Sequence, residues 1–282
     1  MGAVSAAGSV KDALGAAVDA LEAAGVDSSR LDAELLLAAA SGSDRTRLLA
    51  DPEAAIDPAA GRRFGEMVRR RLRREPLAYI VGRKWFRHLE LQVDNRVLIP
   101  RPETELLVDV GLELGPQRAL DVGTGSGAVA LALADELPTV EVTATDSSPA
   151  ALEVARRNAD LCGLGDRVDF VQSAALPEGE FDLLLANLPY VAEPDWQRLA
   201  PEIREWEPRD ALLAGPDGLA AIRSLLSVRA EREPGQRPSA VALEVGAGQA
   251  PEVAAMLARA GYPRTETRTD LAGIERVVLG RR

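Results

Sequence analysis

The chain has 282 residues, 46% of them hydrophobic and 27% charged, and its 33 Lys and Arg against 44 Asp and Glu leave a net charge of −11. This is length enough for one large or two modest globular domains, no apolar run is long enough to cross a bilayer, and the surplus of acid does not suit a protein that grips nucleic acid along its phosphates. A single cysteine, Cys162, and a single histidine, His88, exclude an intrachain disulfide and argue against a structural zinc site or a Ser–His or Cys–His triad, and a reducing cytoplasm is the expected compartment.

The first 75 residues hold 11 basic and 12 acidic side chains, and the remainder holds 22 and 32, so the acidity belongs to the larger part. VKDALGAAVDALEAAGV and SRLDAELLLAAASG both carry apolar residues at i, i+3, i+4 spacing and end in glycine turns, which predicts two amphipathic helices. A third helix is expected within residues 52–76, stopped by Pro76. Acidic residues among the alanines of the first helix set it apart from a secretory signal. The spacing predicts a helical domain over 1–76. Its run Arg69–Arg74 reads as a solvated helix face, or as a docking patch for an acidic partner. Residues 77–101 are predicted to form a β-hairpin linker, with HLELQV and RVLI paired across a turn at Asp94-Asn95.

From residue 102 to 282 short apolar strands alternate with amphipathic helices: RALDVG, VEVTATD, RVDFVQS, FDLLLANL and SAVALEVG are the strands. That alternation predicts a parallel sheet covered by helices on both faces. RTETRTD and IERVVLG close the chain as an expected antiparallel pair, and REPGQRPS at 232–239 reads as a surface loop.

Two places in this region carry chemistry. The first is Asp121-Val122-Gly123-Thr124-Gly125-Ser126-Gly127, a strand running into a tight glycine turn and a helix. Glycines let the backbone approach a ligand and adopt φ values closed to other residues. The G-x-G-x-G spacing departs from the dinucleotide pattern, and Asp121 beside the turn would repel a pyrophosphate. It suits a ligand carrying an amine or a sulfonium, and S-adenosylmethionine (SAM) carries both. Asp146, about twenty residues on at the end of the next strand, can accept the two ribose hydroxyls, or act as a helix N-cap before Ser147-Ser148-Pro149.

The second is Asn187-Leu188-Pro189-Tyr190, where an apolar strand stops at a rigid corner. Asn and Pro also favour plain turns, but ligands sit at the C-terminal ends of strands in open α/β sheets. Asn187 Oδ1 and the Leu188 carbonyl could accept the two N–H bonds of a planar NH2 group and aim its nitrogen. Tyr190 offers a flat face for stacking, and Pro189 stiffens the corner. A methyl transfer to such a nitrogen needs neither a metal nor a strong base.

Six segments in order, PLAYIVGRKWF, VLIPRPETELLV, LDVGTGSGAVAL, EPRDALLAGPDGL, LEVGAGQAPEV and DLAGIERVVLG, resemble the protein-(glutamine-N5) methyltransferases of peptide chain release factors, the HemK/PrmC family, over nearly the whole chain. IPRPETE is the most specific of them. The resemblance implies a class I SAM-dependent methyltransferase fold, Rossmann-like with a mostly parallel seven-stranded sheet, behind a small N-terminal helical domain that recognises the release factor. It implies SAM as cofactor and the glutamine of a Gly-Gly-Gln loop as substrate, without nucleic acid, membrane or metal as partners. It also implies SAM contacts at Asp121, Gly123, Thr124, Gly125, Ser126, Gly127, Asp146, Ala175 and Asn187, and glutamine contacts at Asn187, Leu188, Pro189 and Tyr190. A ribosomal-protein glutamine, or an adenine base of RNA or DNA, is the alternative substrate. The family usually has Pro where Leu188 stands, a residue expected to act through its backbone carbonyl. Ala174 and Ala175 replace an acid and a large residue near the adenine, so SAM is expected to bind less tightly by about 1–3 kcal/mol.

Overall fold

The computed structural model describes residues 8–173, 176–230 and 237–282. In chain order it forms α1 (Val10–Ala23), α2 (Ser29–Ser41), α3 (Arg45–Ala50), α4 (Pro58–Leu72), α5 (Leu77–Val81), β1 (Arg83–Phe86), β2 (Leu89–Gln92), α6 (Glu105–Leu114), β3 (Arg118–Val122), α7 (Ala128–Glu136), β4 (Glu141–Asp146) and α8 (Pro149–Leu161). There follow β5 (Val168–Gln172), β6 (Leu183–Ala186), α9 (Pro201–Trp206), α10 (Ala220–Ala230), β7 (Ala240–Glu244), α11 (Ala250–Arg259), β8 (Arg264–Thr269) and β9 (Glu275–Arg281). Two compact units result. One is Met1–Gly82 with Pro201–Trp206, and the other is Arg83–Ala200 with Glu207–Arg282. The loop expected at 232–239 lies largely outside the described residues.

The first unit is a helical bundle. Ser9 caps α1 by accepting from the Asp12 N–H, and Val10, Leu14, Ala17 and Leu21 form its buried stripe. Asp57 caps α4, with Pro58 placed where a missing N–H costs nothing. These helices enclose Leu36, Leu37, Phe64 and Ile80.

The arginine run Arg69–Arg74 is only in part the solvated face that its composition suggests. Arg71 is buried; its Nε donates to Asp32 at 2.7 Å and its Nη1 to Glu202 at 2.9 Å. Arg74 Nη2 donates to the other Glu202 oxygen at 2.9 Å, and Arg70 pairs with Glu75. Arg69, paired with Glu66, follows the exposed i, i+3 pattern, and Arg73 is exposed as well. The partners of Arg71 are 39 and 131 residues away, so local spacing gives no sign of them.

The second unit is built on one seven-stranded sheet, ordered β5-β4-β3-β6-β7-β9-β8, in which the first five are parallel and β9 runs antiparallel to both neighbours. All residues of β6 and β7 are buried, as both covered faces of a parallel sheet require. Leu183 and Leu185 join one apolar cluster, and Leu184 and Ala186 join the other, by strand alternation. From β3 the chain steps outward to β4 and β5, then returns to place β6 on the other side of β3. That reversal opens a crevice at the C-terminal ends of β3 and β6.

The hairpin falls earlier than its sequence pattern indicates. β1 pairs with β2 across a turn at Arg87-His88, and residues 96–99 form no strand. Past β2 the backbone finds other partners: the Asn158 side chain bonds both the N–H and the carbonyl of Gln92, Asp94 accepts from the Arg96 N–H, and Glu207 accepts from the Ile99 N–H. With those groups satisfied, a second strand has nothing to gain. Residues 77–81, expected within the hairpin, are helix α5.

Removing one partner of a buried ion pair strands the other charge, at a cost of about 3–5 kcal/mol. Arg71→Ala should therefore lower stability in urea titration by about that much. Lys11→Ala, which breaks an exposed pair with Glu53, should cost less than about 1 kcal/mol. Equal losses would contradict the assignment.

Candidate active site

The crevice holds a cavity of about 380 Å³, within the range of small-molecule sites. Its floor is the turn after β3. Gly123, Gly125 and Gly127 all take positive φ, at 74°, 56° and 85°, which explains the three glycines. The Gly123 and Thr124 N–H groups both donate to the Thr145 carbonyl, at 2.8 and 2.9 Å, and pin the turn against β4. A side chain at Gly123 would meet Leu188 at 3.2 Å, so the bare backbone makes room for the Asn187 corner.

Two carboxylates face this turn in different ways. Asp146 lines the cavity; its Oδ2 accepts from the Gly125 N–H at 3.0 Å and its Oδ1 from the Ser148 N–H at 2.9 Å. The cap of α8 is Ser148, not Asp146, because the Ser148 hydroxyl takes the Ala151 N–H. Each oxygen of Asp146 keeps a lone pair for a further donor. Asp121 is buried, at 2% exposure, and accepts from the Thr124 hydroxyl at 2.7 Å. Burial pushes its carboxyl up to about 6, the Thr124 and Ala130 hydrogen bonds oppose this, and the charge of Asp146 adds to it.

The corner follows β6. Asn187, Leu188 and Pro189 line the cavity. Asn187 Nδ2 donates to Thr104 Oγ1 at 3.0 Å. The Tyr190 carbonyl accepts from Gln249 Nε2 at 3.0 Å, and its hydroxyl lies 3.5 Å from Glu244 Oε1. Burial, with the charge of Glu244, pushes the Tyr190 phenol well above its usual range. A Cβ at Gly218 would strike the Tyr190 carbonyl, and one at Gly246 would press on the Tyr190 ring at 3.3 Å, so two glycines hold the loop closely.

The structure thus gathers Asp121, Gly123, Thr124, Gly125, Ser126, Asp146, Asn187, Leu188 and Pro189 around one cavity. Gly127 and Tyr190 stand behind it rather than in its wall. Ala174 and Ala175 lie outside the described residues. Sequence reasoning missed Thr104, Glu244 and Gln249, although each falls in a segment that carried the family resemblance: IPRPETE for Thr104, LEVGAGQ for the other two. Among the described residues no helix is long and apolar enough to cross a membrane, and no three His, Cys, Asp or Glu side chains are grouped to hold a metal.

Strand order, glycine turn and acid-ended β4 define a class I methyltransferase. The chain matches the PrmC N-terminal domain family over residues 12–82 and the Methyltransferase domain family over 119–206. It is 42% identical to the release factor glutamine methyltransferase of Cereibacter sphaeroides, with 96% of this chain and 97% of that protein aligned, and 43% identical to that of Moorella thermoacetica, with 97% and 98% aligned. The chain belongs to the release factor glutamine methyltransferase family. Among solved structures it is similar in fold to the catalytic domain of hMettl16 in complex with MAT2A 3'UTR hairpin 6, at a TM-score of 0.57 and 16% identity over 68% of this chain and 75% of that one.

SAM fits the cavity's residues: a glycine cradle open to close approach, an acid at the end of β4 with lone pairs to spare, and a second acid beneath the turn.

Because burial pushes the Asp121 carboxyl up to about 6, above the usual carboxylate value of about 3.9, its contribution to stability is complete below about pH 4 and is lost as pH rises through about 6. Asp121→Asn removes that dependence. Melting temperatures of the variant relative to the wild type should therefore rise between about pH 4 and 7. A constant difference across that window would refute the buried, proton-binding carboxyl.

Proposed function

We propose that this chain transfers a methyl group from SAM to the side-chain amide nitrogen of the glutamine in the Gly-Gly-Gln loop of peptide chain release factors. One observation carries this: the Asn187 corner and the glycine turn with Asp146 line the same cavity, so methyl donor and acceptor can meet there. Forty per cent identity to named release factor enzymes over nearly the full length supports the choice of substrate. A release factor is met in the cytoplasm, which agrees with a chain of one cysteine.

Each part of the site then has a task. Asp146 accepts the ribose hydroxyls, and the turn Gly123–Gly127 lets the backbone lie against the ligand. Bound SAM supplies an electrophilic methyl on a sulfonium. The negative field of Asp121 and Asp146 favours a cationic ligand in that place. Asn187 Oδ1 and the Leu188 carbonyl accept the two N–H bonds of the glutamine amide. An amide nitrogen is a weak nucleophile because its lone pair is shared with the carbonyl. Two acceptors on its hydrogens hold it in line and stabilise the positive charge that grows on it. After transfer that nitrogen is strongly acidic and loses a proton to water, so no side chain needs to act as a strong base. The Leu188 side chain, where the family usually has a proline, reaches toward Gly123, so that a Cβ there would meet it at 3.2 Å. Tyr190, tied at its carbonyl and hydroxyl, closes the corner. The helical unit of residues 1–82 is the part we assign to release-factor recognition.

Transfer from labelled SAM should label a purified release factor, but neither a factor with the loop Gln→Ala change nor naked ribosomal RNA. Asn187→Ala should lower kcat about 100-fold or more, as loss of a charge-stabilising acceptor does, with SAM affinity by calorimetry held within about threefold. Label on RNA, or unchanged turnover in Asn187→Ala, would overturn the proposal.

A further inference from the structure

The corner leaves β6 at Ala186, which is fixed in the sheet beside Val122. Its far end is held by something else. The peptide unit between Tyr190 and Val191 is gripped on both sides: the Tyr190 carbonyl accepts from Gln249 Nε2 at 3.0 Å, and the Val191 N–H donates to the Leu212 carbonyl at 2.8 Å. A peptide unit is planar, so two bonds on opposite edges leave it little freedom to rotate. Asn187, Leu188 and Pro189 therefore hang between two held points, and these are the corner residues that line the cavity.

Gln249 stands at the N-cap position of α11, where a short Ser, Thr, Asp or Asn would ordinarily take a helix N–H. Its side chain makes no cap hydrogen bond. It reaches away instead: Oε1 accepts from the Gly246 N–H at 2.8 Å, and Nε2 donates to the Tyr190 carbonyl and, at 3.5 Å, to that of Asp217. A backbone N–H can only donate and a backbone carbonyl can only accept, so these partners fix which end of the amide faces the corner. Gly218 comes in against the same bond. Its φ is 74°, and a Cβ there would strike the Tyr190 oxygen and lie 2.7 Å from Gln249 Nε2, so only a bare backbone fits over the amide. Three segments distant in sequence thus converge on one side-chain amide, and α11 forgoes a side-chain cap for it.

We infer that Gln249 is a positioning residue: its amide clamps the Tyr190–Val191 peptide and so keeps the Asn187 side chain and the Leu188 carbonyl aimed at the substrate nitrogen. The clamp matters more in this chain because Leu188 stands where the family usually has a proline, so the backbone at 188 gains no stiffness from a ring. This role rests on the methyl-transfer activity proposed above and deepens it by naming what keeps the acceptor half of the site in place.

Kinetics on the full chain, with labelled SAM and release factor, compare the wild type with Gln249→Glu and Gln249→Met. Gln249→Glu keeps the acceptor for the Gly246 N–H but loses the donor, and Gln249→Met loses both. Each should lower kcat about 30-fold, as a misaimed reacting group does. KM for the release factor, and SAM affinity by calorimetry, should stay within about threefold. A role confined to the Gly246 turn would leave Gln249→Glu as active as the wild type, and a general loosening of the fold would weaken SAM binding in step with kcat; either result would overturn the inference. A second measurement needs no variant and no activity: in the nitrogen-labelled wild-type chain the Gln249 side-chain NH2 protons should show a nuclear Overhauser contact to the Gly218 α-protons. Its absence would overturn the inference even if the release factor is methylated. Its presence, with no methylation by the wild type, would instead sink the proposed activity and leave the clamp standing.

Discussion

The register of β3 against β6 is the constraint from which the rest follows. Asp121 lies beside Leu185 and Val122 beside Ala186 in parallel, so the two strands end level with each other. The glycine turn leaves one strand and the Asn187 corner leaves the other, one residue beyond that shared edge. A slip of one residue would invert every side chain of β6 between its two apolar clusters, and Leu183 to Ala186 are buried too completely to allow it. Packing on both faces thus fixes the distance between the donor and acceptor halves of the site.

That rigid edge carries an electrostatic burden. Asp121 lies under the turn with its carboxyl pushed up to about 6, and Glu244 lies behind the corner with its carboxyl pushed up to about 7, both chiefly by burial. Groups of this kind lower stability wherever they ionise, and perturbed carboxyls collected around one cavity mark a working site more often than a structural one. One sits where a cationic ligand would relieve it, the other 3.5 Å from the Tyr190 hydroxyl. The helical unit handles buried charge differently: Arg71 is matched by both Asp32 and Glu202, as a buried structural cation requires.

Much of this was legible in the sequence because it is local. The strands announce themselves as short apolar runs, and the turn as glycines at fixed spacing that prove to have positive φ. Asp146 and Asn187 stand at strand ends that any α/β reading would find. What stayed hidden depends on contacts distant along the chain. Thr104 meets Asn187 across 83 residues, Tyr190 meets Glu244 across 54, and Gln249 meets Tyr190 across 59. No periodicity encodes those pairs. The burial of Arg71 within its arginine run is hidden for the same reason, and the hairpin falls earlier because the Asn158 side chain, not a strand, satisfies Gln92.

The central claim is that this cavity methylates one nitrogen of one glutamine in a release factor. Tandem mass spectrometry of a release factor after incubation with the chain and SAM tests it directly. The account predicts a single added methyl on the side-chain nitrogen of the Gly-Gly-Gln glutamine. A methyl on any other residue, or a factor left unmodified while another substrate in the same mixture is methylated, would contradict it.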